Sequence, residues 1–146
     1  MILNRQRKVR VSLRPLQSFL VKLARELHLD IPEMTVALVT NDEIAGMNKR
    51  FRRKKGPTDV LSFPSRPRKS PRKHGLTSRR QSVSGDIAIA PEIARKYARK
   101  NGRSLSPELR ILILHGLLHL LGYDHESDQG QMDRIEQRLR RRFGLA

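Results

Sequence analysis

Apolar residues in the first part of the chain follow both strand and helix spacing. Residues 2–12 weakly indicate an edge strand, and apolar positions three or four apart from Leu16 to Leu27 predict an amphipathic helix with one buried face. The short run Met34–Thr40 is apolar and rich in β-branched residues, which predicts a buried strand. A second helix is expected to follow it, with Asn41 or Asp42 as the N-cap.

The second part of the chain repeats this mixture. The stretch between Pro57 and Pro64 predicts a strand, and a further short strand follows Gly85. A helix is expected within residues 91–102, with proline near its start and glycine just past its end. The final helix is expected from about Ser127 to Phe143. Its inward stripe consists of Met132, Ile135 and Leu139.

The most apolar segment of the chain, "SPELRILILHGLLHLLG", predicts one further helix. Ser106 is a plausible N-cap, Pro107 suits the first helical position, and Gly122 suits the C-terminal stop. With this helix, the pattern predicts about four strands and about five helices. Strands lie early and helices late, with a mixture between them, so the expected fold is an α+β domain spanning residues 1–146.

One long segment lacks both patterns. From Ser65 to Ser84 the chain is rich in serine, proline, arginine and lysine, and it contains no acidic residue and hardly an apolar one. We therefore expect a basic, mobile loop there.

Composition excludes several classes of protein. With 146 residues and 37% hydrophobic content, the chain suits one compact domain. It has no cysteine, so it offers neither a disulfide nor a thiolate metal site. No apolar run approaches the length of a transmembrane helix, and the N-terminus does not resemble a signal peptide. We expect a soluble, cytoplasmic protein.

The charge balance points to a polyanionic partner. Lysine and arginine number 31 against 14 acidic residues, which gives a formal net charge of +17. The basic residues cluster in runs such as Lys49–Lys55, Arg66–His74 and Arg138–Arg142. Nucleic acid is the favoured partner, with an anionic membrane surface or simple solubility as alternatives. Aromatic residues make up only 4% of the chain, so phosphate contacts should outweigh base stacking.

Three of the five histidines lie within "HGLLHLLGYDH" at positions 115–125. His115 and His119 are four apart, so they share one helical face, and a left-handed turn at Gly122 allows His125 to fold back towards them. Three imidazoles with an open fourth position suit a catalytic divalent ion, most simply zinc, although nickel or another ion is chemically possible. The alternative is two buried core histidines and a third in a loop.

The same spacing occurs in the metzincin proteases, with one difference. Their motif carries a general-base glutamate where this chain has Gly116, and glycine cannot accept a proton. Peptide hydrolysis by that mechanism is therefore disfavoured, and a phosphodiester suits the basic surroundings better.

Three segments resemble the YbeY endoribonucleases, which are metal-dependent factors of ribosomal RNA maturation. They are "NKRFRRKKGPTDVLSFP" at 48–64, "GDIAIA" at 85–90 and "HGLLHLLGYDH" at 115–125, in the family's order. The resemblance implies a single zincin-like domain with a mixed four-stranded sheet and one zinc-type ion. It also implies cleavage of single-stranded RNA in small-subunit ribosomal RNA processing and ribosome quality control.

The resemblance also assigns individual residues. It implies that His115, His119 and His125 hold the metal and that Arg52 is the functional arginine. A guanidinium can donate paired hydrogen bonds to a phosphate and stabilise charge in the transition state. Because Arg52 lies among other basic residues, any of these is an alternative.

Other roles stay open at this point. Asp86 and Asp124 are candidates for contacts to a ligand histidine or to water. The general base is the RNA 2′-hydroxyl, a metal-bound hydroxide, or a carboxylate such as Asp59 or Asp86. A noncatalytic ribosome-assembly factor with a structural metal is the main alternative function, and a metalloprotease is the weaker one. The sequence indicates no oligomeric state.

Overall fold

The computed structural model describes residues 1–53, 56, 58–65, 80–124 and 128–145. Within these residues the chain forms four strands and five helices, so the predicted α+β class is confirmed. In chain order the elements are β1 (Ile2–Asn4), α1 (Leu13–Glu26), β2 (Leu29–Leu38), α2 (Asn41–Arg52), β3 (Val60–Pro64), β4 (Gln81–Ile89), α3 (Pro91–Lys100), α4 (Leu105–Leu120) and α5 (Gln131–Arg142).

The four strands form one mixed sheet in the order β1-β2-β4-β3. β1 and β4 both pair with β2 in parallel, whereas β3 runs antiparallel to β4. Among the described residues β3 is therefore an edge strand that pairs on one side only.

Helices cover both faces of the sheet. Alternation along β4 turns Ile87 and Ile89 towards the main core, which contains the buried residues of α1 and α4. The small residues Ala88 and Ala90 face the other way, towards a second cluster that includes Ile44 of α2. We call these the α4 face and the α2 face of the sheet. None of the described helices combines the length and the apolarity needed to span a bilayer.

Two predicted helix starts were wrong by one or two residues. Helix α2 is capped by Thr40, whose Oγ1 accepts a hydrogen bond from the Glu43 amide at 3.2 Å, and not by Asn41 or Asp42. Helix α4 begins at Leu105 after Ser104, so Pro107 occupies its third position. Proline is tolerated there because the first amides of a helix have no intrahelical acceptor.

The predicted loop from Ser65 to Ser84 was too long. Its last residues, Gln81–Ser84, belong to β4 and pair with β2, with Leu29 opposite Gln81. The sequence prediction failed because this half of β4 is polar, and only Val83 within it is buried. Main-chain pairing holds it in the sheet. Residues 66–79 of the predicted loop lie outside the described residues, so its mobility stays a prediction.

Strand β2 and helix α5 also differ from their predicted bounds. β2 begins at Leu29, five residues before the predicted start, and a register irregularity between Asp30 and Glu33 accommodates the intervening proline. Helix α5 begins at Gln131, where the Asp128 carboxylate accepts hydrogen bonds from two main-chain amides near the helix start. The predicted start at Ser127 lies outside the described residues.

Candidate metal centre

His115 and His119 lie on one face of α4, as predicted, and their rings meet. The two Nε2 atoms are 3.1 Å apart, and the ring planes are inclined by 80°. Both residues are partly buried, whereas most of α4 around them is fully buried. The histidine pair is therefore the polar, accessible part of an otherwise apolar helix.

Each ring is held through its other nitrogen. Nδ1 of His115 lies 2.7 Å from Oε1 of Glu136 on α5, and Nδ1 of His119 lies 2.9 Å from the carbonyl oxygen of Tyr123. A carbonyl, like an ionised carboxylate, only accepts hydrogen bonds, so both Nδ1 atoms donate. In the neutral rings this leaves the lone pairs on Nε2, which is the arrangement typical of histidines that bind metals.

The spacing of the two Nε2 atoms matches what one ion requires. Two nitrogens bound about 2.0–2.1 Å from a tetrahedral zinc ion lie roughly 3.3 Å apart. The observed distance of 3.1 Å is close to this value. His115 and His119 therefore fit as two ligands of one divalent ion.

The chain reverses direction immediately after these ligands. Gly122 has a φ of 98°, a conformation that favours glycine, and its amide donates to the carbonyl of His119 at 2.9 Å. The Tyr123 amide donates to the carbonyl of Leu118 at 3.1 Å, which completes a Schellman motif. The same turn brings the Tyr123 carbonyl to the ring of His119. The predicted left-handed exit from α4 is confirmed.

The third predicted ligand, His125, lies outside the described residues. Among the residues that the structure does describe, no group of three side chains is arranged to hold a metal ion. The complete three-histidine site stays a prediction.

Gly116 lies where α4 presses against the sheet. A Cβ atom added there would lie 2.9 Å from Cγ2 of Ile87 and 3.1 Å from Oγ of Ser62. The Ser62 hydroxyl also donates to the Gly116 carbonyl at 3.1 Å. The position that carries glutamate in the metzincins is thus filled by the sheet in this chain. A larger side chain at this position would therefore require Ile87 to move.

Of the acidic residues considered from the sequence, Asp59 has a carboxyl with a shifted pKa. Burial raises the pKa of the Asp59 carboxyl above its ordinary value of 3.8, and main-chain hydrogen bonds and charge on His115 oppose this rise. Asp86 is opposite Phe63 in the sheet and lies on the α2 face, away from Gly116. Asp124 is exposed. The two ring contacts come instead from Glu136 and Tyr123.

The sequence prediction missed Glu136. This residue follows Met132 by four positions and precedes Leu139 by three, so it lies beside the buried stripe of α5. The sequence could have indicated this role, because a carboxylate beside the buried residues of a helix can contact groups in the interior. Its partner, however, lies 21 residues earlier, on another helix.

Arg52 is the last residue of α2 and is exposed. The adjoining segment is tethered by the buried side chain of Asn48, whose Nδ2 donates to the carbonyl of Gly56 at 3.0 Å. The basic alternatives Lys54 and Lys55 lie outside the described residues. A catalytic role for Arg52 therefore stays a prediction.

The family model and the similar proteins of known sequence all indicate the same family. The model of the endoribonuclease YbeY family matches residues 1–144. The endoribonuclease YbeY of Koribacter versatilis is 42% identical over 145 residues, which cover 99% of this chain and 86% of that protein. The YbeY protein of Solibacter usitatus is also 42% identical, over 131 residues that cover 89% of this chain and 78% of that protein.

A solved structure supports the same relationship. The solution structure of TM1509 from Thermotoga maritima superposes with a TM-score of 0.61 at 30% sequence identity, and the match covers 94% of this chain and 85% of that one. The family match and the first relative extend over nearly the whole chain, including the N-terminal part that precedes the three matching segments. This chain belongs to the YbeY endoribonuclease family.

Proposed function

We propose that this protein is a metal-dependent endoribonuclease that cleaves single-stranded RNA during ribosomal RNA maturation. The observation that carries the proposal is the pair of Nε2 atoms 3.1 Å apart, each on a ring whose Nδ1 is already engaged. The relatives at 42% identity are described as endoribonucleases. Together these observations favour hydrolysis of RNA phosphodiester bonds over a purely structural role.

The metal in this proposal is one divalent ion, and zinc suits the imidazole donors best. His115 and His119 would hold it, with His125 as the third ligand. When bound, the ion supplies positive charge for polarising a phosphoryl oxygen and activating water. Glu136 and the Tyr123 carbonyl keep the two rings oriented, because each accepts the Nδ1 proton of one histidine.

Two further residues have proposed tasks in the reaction. The Arg52 guanidinium neutralises the phosphate that is being cleaved. Asp59 is favoured over Asp86 as the proton acceptor, because burial raises the pKa of the Asp59 carboxyl, whereas Asp86 lies on the face of the sheet opposite to Gly116. The net charge of +17 draws the RNA to the protein.

The biological setting follows from the family and is also part of the proposal. We infer that the substrate is small-subunit ribosomal RNA, that the ribosome is the partner, and that the protein acts in the cytoplasm. The described helices offer no membrane span. The lysine and arginine excess suits a ribosomal RNA substrate.

The decisive experiment combines metal analysis with an RNA cleavage assay. We expect the wild type to bind about one divalent ion and to cleave single-stranded RNA, since three protein ligands are typical of a catalytic zinc site. His115→Ala, His119→Ala and His125→Ala should each lose both properties. His28→Asn is the matched control, because His28 is exposed and has a φ of 54°, which asparagine tolerates.

Three results would contradict the proposal. Full metal content in any of the three alanine variants would exclude that histidine as a required ligand. Metal and RNA binding without cleavage, in the presence of zinc, manganese or magnesium, would favour the noncatalytic assembly factor. Degradation of a generic peptide library that needs all three histidines would favour a protease.

A further inference from the structure

An exposed aromatic ring lies at the C-terminal end of α2. Phe51 is 60% exposed, yet its ring is in edge contact with Phe63 of β3, with centroids 5.3 Å apart and planes inclined by 67°. The guanidinium carbon of Arg50 lies 5.7 Å from the centroid of Phe51. Two neighbours therefore hold the ring in position while much of its surface stays accessible to solvent.

This exposure is unusual for the chain. The protein contains four phenylalanines, two tyrosines and no tryptophan. In the described part of the chain, Phe51 and Tyr97 are the only aromatic residues among the exposed large hydrophobic side chains. Phe19 and Phe143, by contrast, pack against each other in the core region. A single exposed apolar side chain is common in proteins, so exposure alone does not indicate a site.

The charge around Phe51 is the second observation. Lys49, Arg50, Arg52 and Arg53 surround it in sequence, and all four are exposed. None of them forms an ion pair within the described residues. Cations at a helix C-terminus interact favourably with the helix dipole, which accounts for their charge. The dipole does not account for an exposed aromatic ring among them.

The position of the ring relative to the histidines is the third observation. Phe63 follows Ser62 on β3, and Ser62 donates a hydrogen bond to the carbonyl of Gly116, the neighbour of His115. Ser62 is on the α4 face and Phe63 on the α2 face, because side chains alternate along a strand. The aromatic pair and the histidine pair thus flank the same edge strand from opposite faces.

We propose that Phe51 is a stacking platform for one base of a single-stranded nucleic acid, with the cations at the end of α2 on the flanking phosphates. The nucleic-acid strand then passes the outer edge of β3, which pairs with no other strand among the described residues, towards His115. Aromatic rings combined with cations are the usual means of binding single strands without reading their sequence. The identification of the nucleic acid as RNA rests on the proposed function.

The affinity test compares Phe51→Ala with Tyr97→Ala, which removes the other exposed aromatic ring. The probe is a 2′-O-methyl RNA of about 12 nucleotides, which spans a typical single-strand site and lacks the 2′-hydroxyl nucleophile. We expect Phe51→Ala to weaken binding about 5- to 150-fold, the range reported for loss of one base–aromatic stack. The salt dependence of binding should not change, because no cation is removed. Tyr97→Ala should bind like the wild type.

A second comparison isolates the base itself. An oligonucleotide of the same length with abasic sites keeps every phosphate and loses the bases. The wild type should prefer the base-containing strand, and Phe51→Ala should lose that preference. Phe51→Trp should retain it, and because the chain has no other tryptophan, its fluorescence should be quenched by the base-containing strand alone.

The outcomes separate this proposal from the proposed enzymatic function. Unchanged affinity in Phe51→Ala, an equal loss in Tyr97→Ala, or a base preference that survives in Phe51→Ala would overturn the stacking role, whether or not the wild type cleaves RNA. If the base preference depends on Phe51 while the wild type cleaves no RNA, the stacking role stands and the proposed cleavage activity fails.

Discussion

The carboxylate of Glu136 lies 2.7 Å from Nδ1 of His115. This contact joins α5 to α4 and determines which nitrogen of His115 faces His119, because a ring whose Nδ1 donates to a carboxylate presents Nε2 on its other side. The Glu136 side chain is largely buried, at 14% exposure, so little water competes for the hydrogen bond. The final helix therefore contributes to the histidine site as well as to the core.

Removal of this carboxylate should weaken metal binding. We expect Glu136→Ala to lower the metal affinity about 10- to 100-fold, as is typical when the hydrogen-bond partner of a ligand histidine is lost. Competition with a chromophoric chelator measures the effect. Asp133→Ala, an exposed position on the same helix, is the control and should bind metal like the wild type. Equal affinities in the two variants would show that Glu136 does not orient His115.

Substitution of Gly116 should destabilise the fold. Ala at this position gains about 1 kcal/mol of helix propensity, but its Cβ would lie 2.9 Å from Ile87, and overpacking of this kind typically costs about 1–3 kcal/mol. We expect a net loss in the free energy of unfolding, measured by urea denaturation. Gly46→Ala is the matched control, because an added Cβ on α2 meets nothing within 4 Å. Gly46→Ala should be more stable than the wild type. If the free energy of unfolding rose in both Gly46→Ala and Gly116→Ala, close packing at Gly116 would be contradicted.

The partly buried carboxyl of Asp59 should make stability depend on pH. Its pKa in the folded protein is raised above 3.8, chiefly by burial, so ionisation is less favourable in the folded than in the unfolded chain. The resulting penalty is absent below pH 3.8, where both states are protonated, and is complete above the folded pKa. In metal-free protein, Asp59→Asn should therefore raise the free energy of unfolding at pH 7 and leave it unchanged at low pH. If Asp59→Asn lowered the free energy of unfolding at pH 7, the prediction that ionised Asp59 destabilises the folded protein would be wrong.

The role of Arg52 is best separated from bulk charge by rate measurements at saturating protein. We expect Arg52→Ala to keep its metal while single-turnover cleavage falls by about 10²-fold, the scale seen when one transition-state hydrogen-bond donor is lost. Arg52→Lys should restore little of the cleavage rate, because an ammonium group cannot donate the paired hydrogen bonds of the planar guanidinium. Lys49→Ala, on the same helix, should weaken binding and reduce its salt dependence by about one phosphate contact, with little change in rate. Normal cleavage by Arg52→Ala would leave it as part of the basic surface.

Several features were predictable because they depend on a few consecutive residues. A spacing of four places His115 and His119 on one helical face in any α-helix, and Gly122 supplies the positive φ that ends α4. The number and type of the main elements followed from apolar spacing in the same way. Element ends were predicted less well, since Thr40 and Ser104, not their neighbours, occupy the cap positions.

Contacts between distant segments were decided by the tertiary structure alone. The polar start of β4 becomes a strand because β2 offers it main-chain partners, and the order β1-β2-β4-β3 then determines which side chains meet α4. Glu136 reaches His115, and Ile87 fills the space beside Gly116, only after these elements pack. No local window of sequence contains both partners of such a contact. Apolar spacing indicates which face of an element is buried, but the packing of the whole sheet determines what that face is buried against.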